Sequence, residues 1–163
     1  MNMDSEAFKV LKKSKLGIIP RTVSHIFKQI DQNAMKCTVY MSFMQIYNEE
    51  IYDMLGNQKR NKRFEERGLR IREDTVQGTY VEGLTEYIVT DKEQCFELLI
   101  KGERIRAKRS TRLNMQSSRS HTIFQIVIES DEADEKGMIK RAKLNIGDLA
   151  GSEKIFLDEF PSA

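Results

Sequence analysis

The chain has 163 residues, 39% of them apolar and 32% charged, with nine Gly and two Pro; this is the size of one soluble domain or a piece of one, long enough to bury a core. Its 27 basic and 25 acidic side chains leave a net charge of +2, so no strong overall field draws it to nucleic acid or to a membrane surface. No apolar run is long enough to span a bilayer, and residues 1–15 lack the apolar centre of a secretory signal.

Residues 4–13 place Ala7, Phe8, Val10 and Leu11 at helical spacing. Gly17 and Pro20 then punctuate the chain, and residues 21–32 predict a second helix with Val23, Ile26, Phe27 and Ile30 on one face. From 38 to 47 the period changes to two, with both faces largely apolar: Val39, Met41, Phe43 and Gln45 against Tyr40, Ser42, Met44 and Ile46. This predicts a buried strand. Residues 49–55 read as a short helix and 56–68 as a polar surface loop.

Three strand-like runs follow at 69–72, 79–81 and 86–90. Gly78 and Gly83 lie between them, as in a small β-meander. Asp91 is placed to cap a helix, with Gln94 three residues later as in a capping box, and Phe96, Leu98, Leu99 and Ile105 supply its buried stripe. Residues 110–120 are polar. Residues 121–129 alternate as a strand, 131–137 form an acidic turn, and 138–147 predict a strand that ends at Asp148. Helices alternating with strands indicate the α/β class. Cys37 and Cys95 are far apart and read as reduced thiols of an intracellular protein. With two histidines in the whole chain, a His-based metal site is a poor reading.

Two segments carry chemistry. In residues 144–153, LNIGDLAGSE, a strand ends in Asp148 and reaches Gly151 three residues later. A carboxylate at the C-terminal end of a strand can hold Mg²⁺ directly or through water. A glycine lets its N–H approach a phosphate closely. Alone, D-x-x-G is more often a strand followed by a turn. In residues 114–121, NMQSSRSH, hydroxyls surround a guanidinium, a combination suited to Mg²⁺ and phosphate oxygens, although a solvated polar loop reads equally well. Together, with Glu153 available to pair with Arg119, they are far more specific.

At this point the sequence resembles the kinesin motor family. NMQSSRSH resembles its switch I motif and DLAGSEK its switch II motif. GIIPR (17–21), SFMQIYNEEIYDML (42–55), LRIRED (69–74), YVEGLTE (80–86) and IFQIVIES (123–130) follow in kinesin order. The resemblance covers about residues 17–154 of a partial motor domain spanning 1–163, with a divergent tail at 155–163. It implies a kinesin-type P-loop NTPase fold, with a central mixed β-sheet flanked by helices.

The resemblance also implies roles. Ser118 reaches Mg²⁺ and the terminal phosphate, with Ser117 beside it. Asn114 shapes the nucleotide pocket. Arg119 and Glu153 close a salt bridge over the attacking water. Asp148 holds Mg²⁺ through water, and Gly151 senses the γ-phosphate through its N–H. Such a gate orders when the γ-phosphate is present and releases after hydrolysis. The implied cofactors are ATP or ADP with Mg²⁺. The implied partners are microtubules and other motor chains, and the implied location is the cytoplasmic cytoskeleton. Arg70 and Arg72, at the end of a basic run from Lys59, are candidate tubulin contacts. The reading that competes with this is a solvated charged loop. Nucleic acid is a poor rival, because no aromatic residues interleave with the basic ones.

One part of such a site is missing. No G-x-x-x-x-G-K-[ST] loop, the usual cradle for β- and γ-phosphates, occurs in the 163 residues. Residues 78–85 imitate its glycine spacing, but Leu84 stands where the lysine belongs. Gly147 also departs from the family, where an apolar residue is usual, and this puts the placement of Asp148 in question. The parent protein reads as an ATP-hydrolysing motor. The alternatives are a non-hydrolysing tubulin- or motor-binding module and an incomplete gene product. With sheet edges left uncovered, the isolated chain is expected to be marginally stable or to need a partner; a cooperative thermal melt by a soluble monomer would contradict this.

Overall fold

The computed structural model describes residues 16–56, 68–75, 78–112 and 119–151. Helix α1 (Ile18–Gln32) leads into strand β1 (Cys37–Tyr47) and the short strand β2 (Glu50–Asp53). Next come β3 (Arg70–Asp74), β4 (Gly78–Glu82) and β5 (Tyr87–Val89). The long helix α2 (Lys92–Arg112) precedes β6 (His121–Ser130) and β7 (Arg141–Asp148). The main sheet has the order β2-β1-β6-β7, with β5 sharing the β2 edge of β1, while β3 and β4 form a separate ribbon. Every pairing among the described residues is antiparallel.

Cross-strand partners share a face, so the register sorts the side chains. Val39, Met41 and Phe43 lie opposite Ile128, Ile126 and Phe124, and this face is the main core. Val23 and Phe27 from α1 and Cys95 and Leu99 from α2 cover it. Phe43 and Phe124 meet edge to face, centroids 6.4 Å apart at 65°, a geometry that aromatic quadrupoles favour. The other face carries a smaller cluster of Met44, Ile51 and Leu69, packed by Val81, Leu84 and Ile123.

The helix expected to begin at Arg21 starts earlier, at Ile18. Pro20 fits in the first turn, where its missing N–H would have no helical partner anyway. The helix expected over 49–55 is instead strand β2. Tyr47 pairs with Glu50, and the two residues between them, Asn48 and Glu49, have φ of 49° and 63°. Two left-handed residues make a tight hairpin whose twist matches its strands, and this outweighs the helical propensity of the glutamates. Asp53 then ends the strand. Its Oδ1 accepts from the N–H groups of Leu55 (2.7 Å) and Gly56 (2.9 Å), and its Oδ2 from that of Thr85 (2.9 Å).

The expected meander divides. Only β3 and β4 form a ribbon, and β5 joins β1, where Val89 is buried opposite Val39. At α2, Asp91 accepts from the Gln94 N–H at 2.8 Å, as expected of a cap. The return bond comes from the Thr90 N–H to Gln94 Oε1 at 3.2 Å, so the box closes one residue early. The strand expected from 138 begins at Arg141. Asp134 holds the N–H groups of Lys136 and Met138, both at 3.0 Å, which keeps Met138 in the turn. The helix expected over 4–13 and most of the loop expected over 56–68 lie outside the described residues.

Gly102 sets the closeness of α2 to the sheet. A Cβ there would overlap the Phe43 ring, 2.8 Å from Cε1, with Leu55 at 3.5 Å behind it. Gly102→Ala gains about 1 kcal/mol of helix propensity but overpacks the core, and the expected net effect is a loss of about 1–3 kcal/mol. Urea unfolding checks this, and an unchanged or raised midpoint would show that the ring yields freely.

Cys95 gives a pH test. Burial, and then the Asp91 carboxylate, push its thiol from 9.0 up to about 12. The folded chain therefore holds this proton more tightly than the unfolded one. The resulting stability is whole below pH 9 and drains away as pH rises toward 12. At pH 8 iodoacetamide should modify Cys95 no faster than the chain unfolds; rapid labelling of the native chain would show an open thiol.

Candidate functional site

The antiparallel pairing of β6 and β7 decides which strand ends meet. Thr122, near the start of β6, lies opposite Asp148, the last residue of β7. The serine–arginine segment enters β6 at that end, and the aspartate–glycine turn leaves β7 there. A hydrogen bond joins them: the Ala150 N–H donates to His121 Nδ1 at 3.0 Å. Two stretches 29 residues apart in sequence thus share one edge of the sheet.

Arg119, Asp148 and Gly151 all stand exposed at this edge. Asn114, Ser117, Ser118 and Glu153 lie outside the described residues, and so does the expected pair between Arg119 and Glu153. Arg70 and Arg72 are elsewhere, exposed on the β3–β4 ribbon, where Arg72 Nε meets Glu82 Oε2 at 2.9 Å. Gly147 does not interrupt β7. It pairs with Ile123, and the strand continues to Asp148 because its backbone bonds to β6 make up for the missing side chain.

Two residues at this edge escaped the sequence reading. His121 supplies the acceptor that ties the glycine turn down. Gln45, fully buried on β1, donates from Nε2 to Ser120 Oγ at 3.1 Å and so anchors the last residue before β6. The signal for Gln45 was a lone amide in an otherwise apolar strand: a buried amide is retained where it has a hydrogen-bonding task. On the opposite face a second polar file crosses the sheet. Ser42 donates to Gln125 Oε1 (3.3 Å), and Gln125 Nε2 donates to Asn145 Oδ1 (2.8 Å).

No cluster of three His, Cys, Asp or Glu side chains able to cage a metal occurs among the described residues. A single exposed carboxylate at a strand end suits a cation that keeps most of its water and takes further oxygens from a phosphate substrate, as Mg²⁺ does. The groups at this edge fit that mode: one carboxylate for the hydrated cation, and a glycine N–H and a guanidinium for phosphate oxygens. Among the described residues, no helix is long and apolar enough to cross a membrane.

The kinesin motor domain profile matches residues 2–159. The chain belongs to the kinesin motor domain family. It is 48% identical over 145 residues to kinesin-related protein 5 of Dictyostelium discoideum, covering 86% of this chain and 14% of that protein. To Klp61F of Drosophila melanogaster it is 38% identical over 146 residues, covering 87% and 13%. To centromere-associated protein E of Homo sapiens it is 41% identical over 145 residues, covering 85% and 5%. A solved fast kinesin, studied for its ATPase mechanism and its interactions with microtubules, superposes with a TM-score of 0.74 at 38% identity, covering 86% of this chain and 38% of that one. The chain therefore spans a minor part of the length of the kinesins it matches.

His121→Phe keeps a ring of similar size in this kinesin strand and removes the acceptor for Ala150. A typical hydrogen bond contributes about 0.5–1.5 kcal/mol, so the Ala150 amide should exchange with solvent roughly three- to tenfold faster. Mid-strand amides such as that of Ile126 should hold their rates. Unchanged exchange at Ala150 would mean that the bond carries no weight.

Proposed function

We propose that this chain is the switch-bearing part of a nucleotide-driven microtubule motor. The observation that carries this reading is the hydrogen bond from Ala150 to His121, which draws the turn holding Asp148 and Gly151 to the foot of the strand that follows Arg119. In this reading Asp148 takes a hydrated Mg²⁺, and the Gly151 N–H meets the terminal phosphate. Ser117, Ser118 and Asn114 line the nucleotide. Arg119 pairs with Glu153 across the closed site. Bound Mg²⁺ supplies charge neutralisation for phosphoryl transfer.

The residues of this chain hold and report; they do not cradle. No G-x-x-x-x-G-K-[ST] loop, whose backbone amides and lysine grip β- and γ-phosphates, occurs in the 163 residues, so in this reading tight nucleotide binding is assigned to residues outside them. Microtubule contact is assigned to Arg70 and Arg72. Their exposure on the β3–β4 ribbon suits an acidic partner surface.

Two measurements test the proposal. The chain should co-sediment with microtubules in a salt-sensitive way, and Arg70→Glu with Arg72→Glu should weaken this at least tenfold. In a longer form that carries a G-x-x-x-x-G-K-[ST] loop, Arg119→Ala or Gly151→Ala should lower microtubule-stimulated ATP hydrolysis by a factor of 100 or more, on the scale of losing a transition-state contact. Full hydrolysis by these variants would overturn the assignment.

A further inference from the structure

The segment from 110 to 118 is bracketed by two side-chain contacts that land on one rung of the sheet. Upstream, near the end of α2, the Arg109 guanidinium carbon Cζ lies over the Tyr52 ring, 3.9 Å from its centroid. Downstream, Ser120 accepts from Gln45 Nε2 at 3.1 Å. Tyr52 and Gln45 are direct cross-strand partners in the β1–β2 hairpin. The same rung continues through Thr122 to Asp148. One transverse row thus holds both flanks of the serine–arginine segment and ends at Asp148.

Among the described residues, two buried polar side-chain atoms lack a hydrogen-bond partner, Gln45 Oε1 and Arg109 Nε. They belong to the two residues that make these contacts. One is an acceptor and the other a donor. A leucine at 45 would fill similar space with no polar atom to desolvate, so a buried amide with one end unmet is costly for packing alone. An arginine withdrawn from water to lie on a tyrosine is likewise better explained by cation–π holding than by solubility.

We infer that Tyr52 and Gln45 are paired positioning residues, a double anchor on the β1–β2 hairpin that fixes where the serine–arginine segment leaves α2 and where it enters β6. The use of that anchor, holding a nucleotide-sensing segment at a set span from Asp148, rests on the function proposed above. The anchor itself is a matter of geometry. It also gives the tight Asn48–Glu49 turn a task, because the turn sets the register that brings Tyr52 beside Gln45.

Amide hydrogen exchange of the whole chain, without nucleotide or tubulin, tests the anchor apart from the nucleotide reading. Gln45→Leu should speed exchange at His121 about tenfold while the amides of Phe124 and Ile126 keep their rates. Ser120→Ala, which removes the other end of the same bond without altering the core, should match it, and the double variant should add nothing further. Tyr52→Leu should speed exchange at the α2 end, residues 109–112, and Tyr52→Phe, which keeps the aromatic face, should restore the original rates. Uniform acceleration along β6, additive effects of Gln45→Leu and Ser120→Ala, or equal effects of Tyr52→Leu and Tyr52→Phe would each reduce these residues to ordinary packing and overturn the inference.

Discussion

The ladder between β1 and β6 is the constraint on which the rest of the structure depends. Ten residue pairs join them, from Cys37 opposite Ser130 to Ile46 opposite His121. A slip of one residue would turn Val39, Met41 and Phe43 out of the core and Tyr40 and Ser42 into it. The aromatic contact between Phe43 and Phe124 and the polar pair Gln45–Thr122 exist only in this register. The meeting of the two switch-like segments rests on the next ladder, between β6 and β7, which is built on the other edge of the same strand. Packing energy spent in the core is therefore also what sets the geometry at the exposed edge.

Much of this was legible in the chain because periodicity reports burial. The alternation at 38–47 and 121–129 revealed the two central strands, and the apolar stripe at 23–30 revealed α1. Where local propensity and backbone chemistry disagreed, the reading failed. Residues 49–55 read as a helix, but Asn48 and Glu49 adopt left-handed turn geometry, and Ile51 is buried on the sheet. The grouping of β5 with β3 and β4 failed for a different reason. Three neighbouring runs look like a meander, and only a long-range partner, here Val39, tells where the third belongs.

At the site, the residues with distinctive chemistry were visible as motif letters: Arg119, Asp148 and Gly151. The residues that support them were not. Gln45 lies 75 positions from Ser120, and His121 lies 29 from Ala150; neither relation leaves a local pattern. Their task is to hold other groups in place, and that becomes visible only when the strands are laid side by side. The lone amide inside a largely apolar strand was the one hint available.

The β3–β4 ribbon has a mechanical consequence. All five residues of β3 are exposed, and four of the five in β4 are as well. Among the described residues, its ties to the body include the Leu69–Ile51 bridge and a small apolar cluster. Its opening free energy is therefore set by a handful of contacts and not by the main core, which makes it a separate cooperative unit. Under tension applied through Arg70 and Arg72, this ribbon would peel away first, a fuse that yields before the sheet and its exposed edge lose their shape.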